Sequence, residues 1–545
     1  IYLIHYPNCT IVMIRVSSVL RSRIKTRVHI AQTWIRQTSN IYSQEANTNL
    51  SHCCGPTGIN LLDITIGKQL QDTADKYPDA LALISAHQKR RVSYEEFNSK
   101  VTAVAKSLLA LGLPSDAKIG VYAPNCEEWV LIQFACARIG FVLVNINPSY
   151  QVNDLAYVLK KVEISTLVMP RFLKSSDYVS IVNDVLGGEL RNQQDPYSLQ
   201  CSNLPDLRQI ILLEDHTIGG IPESSENEAL YERVWRENNM LPWRNFCSLA
   251  TQGNAELERA FVVKQEAVHI HDPVNIQFTS GTTGLPKGAV LSHYNILNNG
   301  YLVGRLLKYN PHEAVKVLIQ VPLYHCFGTV MGNLACVSHG ATMVYPNGSF
   351  DGEQSLRVVE EERISSLYGV PTMFLELMNQ QRKLVQKRDI SSLKTGIMAG
   401  ALCPKALMDR CINELGLVDL TICYGMTELS PVTHQTSPHD TIHKKTTTVG
   451  TLLPHTITKI VDEDGAVLPR MGVGEIWTKG YGVMLGYYND HAATDEAVDS
   501  EGYMVRVYLS GLVKVKPLYT RVDLYYYFWL KLSAFLVENW RSWIY

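Results

Sequence analysis

Ten residues, Thr279 to Gly288, read TSGTTGLPKG: four hydroxyls, three glycines and one lysine. That composition suits the grip of a phosphate, but not by the commonest route. A Walker A loop ends in Gly-Lys-Ser/Thr, and here Pro286 precedes Lys287 while Gly288 follows it. Placed between the strand pattern NIQF and the helical pattern HYNILNNG, the stretch is expected to be a strand-to-helix turn. Backbone N–H groups would then face an anion, Thr279, Ser280, Thr282 and Thr283 would add hydroxyl donors, and Lys287 a point charge. Taken alone, a glycine-rich polar loop is equally well read as a plain turn.

Three further stretches could complete a site. YGMTE, Tyr424 to Glu428, offers an aromatic face for a base, a hydroxyl for a phosphate and a carboxylate suited to Mg²⁺. AGA, Ala399 to Ala401, is small enough for a flat ring to approach the backbone, and is also an ordinary tight turn. PLYHCFG, Pro322 to Gly328, carries His325. All four stretches follow expected strands, at the carboxyl ends where open α/β sheets place their ligands.

The elements that must position them are legible from about Asp63 onward. SYEEFNSKVTAVAKSLLALG opens with a capping box, Ser93 and Glu96. It then sets Phe97, Val101, Val104 and Leu108 on one helical face and stops at Gly112. KIGVYAP and FVLVNINP read as buried strands around the helix EEWVLIQFACARIG, the signature of a parallel sheet covered by helices. The alternation returns in VNIQFTS, VKVLIQVP, ATMVYP, ISSLYGVP, LKTGIMAG and LTICYG. Two layered α/β subdomains with mostly parallel sheets are expected, over 63–260 and 261–440. Residues 445–490, rich in Gly and Pro with little helix, predict a small β-barrel subdomain.

Composition bounds the function. With 545 residues, 46% apolar content and a net charge of -2, the chain is an ordinary globular one. Nothing in it attracts nucleic acid or anionic lipid in bulk. Twelve scattered cysteines suggest neither a zinc site nor a disulfide framework, and Cys53-Cys54 is expected to lie inert in a linker over 46–62. Met13 to Ser43 has five arginines, one lysine and no acidic residue. Residues 1–45 are therefore expected to hold a run-in and a mitochondrial transit peptide, a basic disordered tail being the alternative. The aromatic run LYYYFWLKLSAFLV, interrupted by Lys531, is shorter than the roughly 20 residues a membrane span requires.

FTSGTTGLPKGAVLSHYNI, PLYHCFG, YGMTELSP and GEIWTKGYGVMLGYY, in that order, resemble the AMP-forming acyl-CoA synthetase and luciferase superfamily. The resemblance covers about 63–504, and the expected large domain is this span. It implies that Thr279, Ser280, Gly281, Thr282, Thr283, Gly284, Leu285, Pro286 and Lys287 bind the ATP phosphates. Tyr424, with Gly425 beside it, and the Gly400-Ala401 backbone would hold adenine, Thr427 would contact the α-phosphate, and Glu428 would hold Mg²⁺. His325 is read either as a gate of the acyl pocket or as a packed structural residue. Tyr368, Gly369 and Val370 either line the acyl tunnel or form a core strand. The implied reaction has two halves, in which a fatty carboxylate, with medium-chain acids expected, attacks the α-phosphorus of ATP, and coenzyme A then attacks the acyl-adenylate. The small molecules ATP, fatty acid and coenzyme A are the expected partners, in the mitochondrial matrix, with oligomeric state left open.

The resemblance stops at TDEAVDSEGYMVRVYLSG, which lacks the family's Tyr-Arg-Thr-Gly-Asp-like, ribose-binding motif. Residues 505–545 match neither the hinge nor the smaller C-terminal α+β domain with its adenylation lysine, so that domain is expected to be absent and adenylation weak. Two other readings stand beside the fatty acid ligase: an aryl-acid ligase or luciferase-like member, and a non-catalytic ATP- or acyl-binding remnant.

Overall fold

Short buried strands separated by amphipathic helices organise the chain around two large sheets. The computed structural model describes residues 49–192, 195–214, 224–251, 255–279 and 285–505. The expected transit peptide, Ser280 to Gly284 and the tail from 506 onward lie outside the described residues. From Ser51 onward the described chain belongs to one compact unit.

The first sheet has eight strands. Leu241–Pro242, Gln209–Leu212, Thr166–Met169, Lys118–Val121, Val142–Asn145 and Pro273–Thr279 run parallel. Lys287–Ser292 and then Gly486–Tyr487 are added antiparallel. The second sheet has nine strands. Leu81–Ser85, Thr342–Tyr345, Lys316–Ile319, Ser366–Gly369, Thr395–Met398 and Asp419–Gly425 form its parallel centre. Antiparallel edges close it, Arg90–Ser93 on one side and Val432–Gln435 with Thr451–Leu452 on the other. The strands Lys118–Val121, Val142–Asn145 and Thr342–Tyr345 are buried at every position. That is why they read as continuous apolar runs rather than alternating ones: a parallel sheet is covered on both faces.

Every strand named at the sequence level is present, but the two layered units do not follow one cut in the chain. The early hairpin Leu81–Ser93 joins the second sheet, and Pro273–Ser292 joins the first. Over the region expected as a barrel, Thr456–Val461 and Glu475–Gly480 pair antiparallel, and the third strand is His52–Cys54. These three form one three-stranded sheet; no closed barrel is seen among the described residues. The expected linker over 46–62 is corrected accordingly, since His52, Cys53 and Cys54 pair with Lys459, Thr458 and Ile457.

The helix Tyr94–Ala110 has the expected capping box. The Ser93 hydroxyl accepts from the Glu96 N–H at 3.2 Å, and the Glu96 carboxylate accepts from the Ser93 N–H at 2.9 Å. Phe97, Val101, Val104 and Leu108 are all buried, and Phe97 meets Phe134 edge-on at 5.4 Å. Gly112 follows with φ +64, the left-handed conformation that ends helices. Ser93→Ala removes one half of the box and should destabilise the protein by about 1 kcal/mol, read from the denaturant midpoint.

Candidate active site

The four chemistry-bearing stretches converge where the sheets end. In the second sheet, the strands Lys316–Ile319, Ser366–Gly369, Thr395–Met398 and Asp419–Gly425 are consecutive parallel neighbours. Their carboxyl ends therefore deliver His325, Gly369-Val370, Gly400-Ala401 and Tyr424-Glu428 to one edge of the molecule. Two of these ends touch directly. Ala399 N–H donates to the Gly369 carbonyl at 3.3 Å, and a Cβ on Gly400 would lie 3.2 Å from Val370 Cγ1. Gly400 also has φ +85, so glycine at that turn is required by conformation.

The stretch Thr279 to Gly288 is not a strand-to-helix turn. Lys287–Ser292 is a strand that pairs antiparallel with Pro273–Thr279, putting Thr279 opposite Lys287, so residues 280–286 connect a hairpin. The helix begins only at His293. Buried Ala289, Val290 and Leu291 cause the difference, because they fill a strand position beside Ile276 rather than a helix face. Lys287 therefore opens a strand and has no helix terminus directly behind it. Of the described loop residues, Leu285 is 64% exposed and the Pro286 carbonyl accepts from the Tyr157 hydroxyl at 3.0 Å.

Thr427 and Glu428 open a single 3-10 turn, Thr427–Leu429, and both are buried. Tyr487, from the strand Gly486–Tyr487, donates its hydroxyl to Glu428 Oε1 at 2.9 Å. Lys287 Nζ stands over the same ring, 5.2 Å from its centroid. Burial, then the Glu428 charge, raise the Tyr487 phenol well above its ordinary range, so it is a neutral donor. Glu428 makes no ion pair among the described residues. A buried carboxylate whose one hydrogen bond among the described residues comes from a neutral phenol suits a hard divalent cation that takes its other ligands from phosphate oxygens and water.

Beside Thr427 lies Cys326. Burial raises its thiol to about 12, against the effect of hydrogen bonds with Thr427 and Gln277, so it is no nucleophile. Tyr424 is largely buried and meets His434 edge-on, with centroids 5.7 Å apart.

His325 is half-buried at the start of a π-helix, Phe327–Leu334. Its Nδ1 accepts from the Phe327 N–H at 3.2 Å, and burial lowers its pKa to about 4, leaving the ring neutral at pH 7. Phe327 stacks on Tyr368 at 5.8 Å. Tyr368 is fully buried with its hydroxyl accepting from Tyr309 at 2.8 Å, as in a packed core strand. A cavity of about 300 Å³ opens next to Tyr324, between Asn125 and Ser149 of the first sheet's loops and Gln320, Phe350 and Met373 of the second. The Gln320 amide is buried and has no hydrogen-bond partner among the described residues.

Tyr487 was not singled out by sequence reasoning. Its signal was the GYY that closes the last recognised stretch, but only strand pairing with Ala289 shows that this tyrosine reaches Glu428. The π-helix likewise has no marker in the apolar run FGTVMGNL.

Known proteins agree with this architecture. The AMP-binding enzyme family pattern matches residues 70–488. The chain is 37% identical over 455 residues to "Medium-chain acyl-CoA ligase ACSF2, mitochondrial" of Macaca fascicularis, covering 83% of this chain and 69% of that protein. In fold it is similar to the anthranilate CoA ligase AuaEII solved with anthranoyl-AMP, with a TM-score of 0.67, 18% identity, and coverage of 86% of this chain and 78% of that one. It is also similar to the N-terminal domain of FACL13 from Mycobacterium tuberculosis, with a TM-score of 0.66, 19% identity, and coverage of 86% and 100%. With the family pattern spanning most of the chain and its residues gathered at one edge, the protein belongs to the AMP-binding enzyme family, among the adenylate-forming acyl-CoA ligases.

Proposed function

We propose that this protein activates medium-chain fatty acids as coenzyme A thioesters, through an acyl-adenylate, in the mitochondrial matrix. The observation that carries the reading is the convergence of Lys287, Thr427 and Glu428 at the edge where His325 and Val370 also end. The substrate class and compartment rest on the likeness to the mitochondrial ligase and on the basic, acid-free stretch Met13 to Ser43. The catalytic unit is read as residues 63–504.

An ionised carboxylate is already a nucleophile, so its attack on the α-phosphorus requires no general base. The work of the protein is positioning and charge neutralisation. Thr279 to Lys287 grips the β- and γ-phosphates, Thr427 donates to the α-phosphate, and Gly400, Ala401, Tyr424 and Gly425 frame the adenine. Glu428 would hold Mg²⁺, which supplies charge neutralisation at the phosphate oxygens. Gly369 and Val370 flank the acyl chain, and the neutral ring of His325 stands at its entrance. The phosphate grip leaves the α-phosphorus open to in-line attack, with pyrophosphate as the leaving group. Coenzyme A thiolate then attacks the acyl carbonyl and AMP departs.

ATP–pyrophosphate exchange by the full chain tests this. Octanoate should support exchange and cinnamate should not, while Lys287→Met and Glu428→Gln should each lower the rate about 100-fold. Exchange driven equally well by the aromatic acid would replace the fatty acid reading with an aryl-acid one.

A further inference from the structure

The Glu428 carboxylate and the Lys287 ammonium carry the charges of the proposed site, yet they come from different sheets. One side chain joins them. Tyr487 lies in the two-residue strand that closes the first sheet, and it is held there from several directions. Ala289 pairs with Tyr487, Leu485 N–H donates to the Val290 carbonyl at 2.8 Å, and Tyr488 N–H donates to the Gly288 carbonyl at 2.8 Å. Thr494 Oγ1 accepts from the Tyr487 N–H at 2.9 Å. Gly486 has φ +141, and a Cβ there would meet Thr494 Cγ2 at 2.9 Å. The local chain is thus built to aim the Tyr487 side chain one way. Its hydroxyl ends 2.9 Å from Glu428 Oε1, and its ring lies under Lys287. Glu428 is tied from the backbone side too, where its carbonyl accepts from the Met484 N–H at 2.9 Å, two residues before Gly486.

We propose that Tyr487 is a positioning residue for the metal half of ATP binding: its hydroxyl fixes the Glu428 carboxylate in the orientation that meets a phosphate-bound divalent cation, while its ring carries Lys287. This rests on the reading of Glu428 as the Mg²⁺ carboxylate. A hydrogen bond from a neutral donor leaves the carboxylate its charge and removes its rotational freedom, so the group is aimed before the metal arrives. Because the donor sits on a strand of the other sheet, the metal position depends on how closely the two sheets meet.

Isothermal titration of the full chain with ATP, once with Mg²⁺ and once with EDTA, separates the possibilities. Tyr487→Phe keeps the ring under Lys287 and the strand pairing but removes the hydroxyl. It should leave ATP affinity in EDTA within about twofold of the unmodified chain and should lower the Mg²⁺-dependent gain in affinity about tenfold. Equal losses in Mg²⁺ and EDTA would mean a packing role and would overturn the proposal, and thermal melting of the variant checks that its fold is retained. Glu428→Gln is the control. If it abolishes the Mg²⁺-dependent gain and Tyr487→Phe does not, the positioning role alone falls. If Glu428→Gln keeps the gain, the metal reading of Glu428 falls, and the proposal with it. Absence of ATP binding by the unmodified chain would overturn both.

Discussion

Moving the protein from pH 7 to pH 5 should remove about 4 kcal/mol of folding stability through two histidines alone. His293 and His434 are completely buried, and burial lowers both pKa values to about 3. His293 Nδ1 accepts from the Ile66 N–H at 3.3 Å, which places the ring's proton on Nε2, and that atom has no partner among the described residues. A second proton would have to displace the Ile66 contact in a site without solvent. His434 Nδ1 is 2.9 Å from the Thr433 hydroxyl, and its Nε2 likewise has no partner among the described residues. The sign follows from linkage. An unfolded histidine titrates near 6.5, so below that pH the unfolded chain binds protons that the folded chain refuses. The stabilisation is complete above pH 6.5 and is lost progressively as pH falls toward 3. His87, lowered to about 4, adds in the same direction. Denaturant midpoints at pH 7, 6 and 5 measure the effect, and a flat profile across that range would contradict it. Since His434 meets the Tyr424 ring edge-on, acid should disturb the surroundings of Tyr424 as the fold weakens.

Gly425→Ala should be among the most destabilising single substitutions in the chain, at about 4 kcal/mol. A Cβ there would sit 1.8 Å from the Pro431 carbonyl oxygen and 3.0 Å from Val432 Cα. Both are backbone atoms, which cannot swing aside as a side chain can. The strand register shifts between Tyr424 and Gly425, and the Pro431 carbonyl is already engaged by the Met426 N–H at 2.9 Å. Relief would have to separate the strand Asp419–Gly425 from Val432–Gln435, which carry Tyr424 and His434. Gly58→Ala provides the contrast, because nothing lies within 4 Å of its Cβ position, and it should change stability by less than about 0.5 kcal/mol. Soluble yield and thermal melting of the two variants side by side give the answer. Similar melting temperatures would show that the Pro431 contact yields more easily than the geometry implies.

What could be read before the structure was known is local chemistry. The capping box at Ser93 and Glu96, the buried face Phe97-Val101-Val104-Leu108 and the strand before each motif all depend on residues within one or two turns of each other. The positions of Thr427, Glu428 and Gly400 just after strand ends were legible for the same reason. Three features were not, and each depends on partners far along the chain. Lys287–Ser292 has the composition of a helix lead-in until its pairing with Pro273–Thr279 is known. His52–Cys54 is a triplet too short to show a period of its own, and only Ile457–Lys459, some 400 residues later, makes it a strand. Tyr487 is one aromatic among 28 tyrosines until the edge strand Gly486–Tyr487 aims it at Glu428.

The interleaving of the two sheets sets the order in which the protein can be completed during its synthesis. Lys118–Val121, near the middle of the first sheet, leaves the ribosome 365 residues before Gly486–Tyr487, which closes that sheet. At roughly 5–20 residues per second, the first sheet spends about 20–70 s with an open edge. The hairpin Leu81–Ser93 waits similarly for Thr342–Tyr345, its neighbour in the second sheet. An unpaired, apolar edge exposed for that long is a template for pairing with other chains. Yield in cells should therefore depend on chaperone supply during translation as well as on the stability of the finished fold.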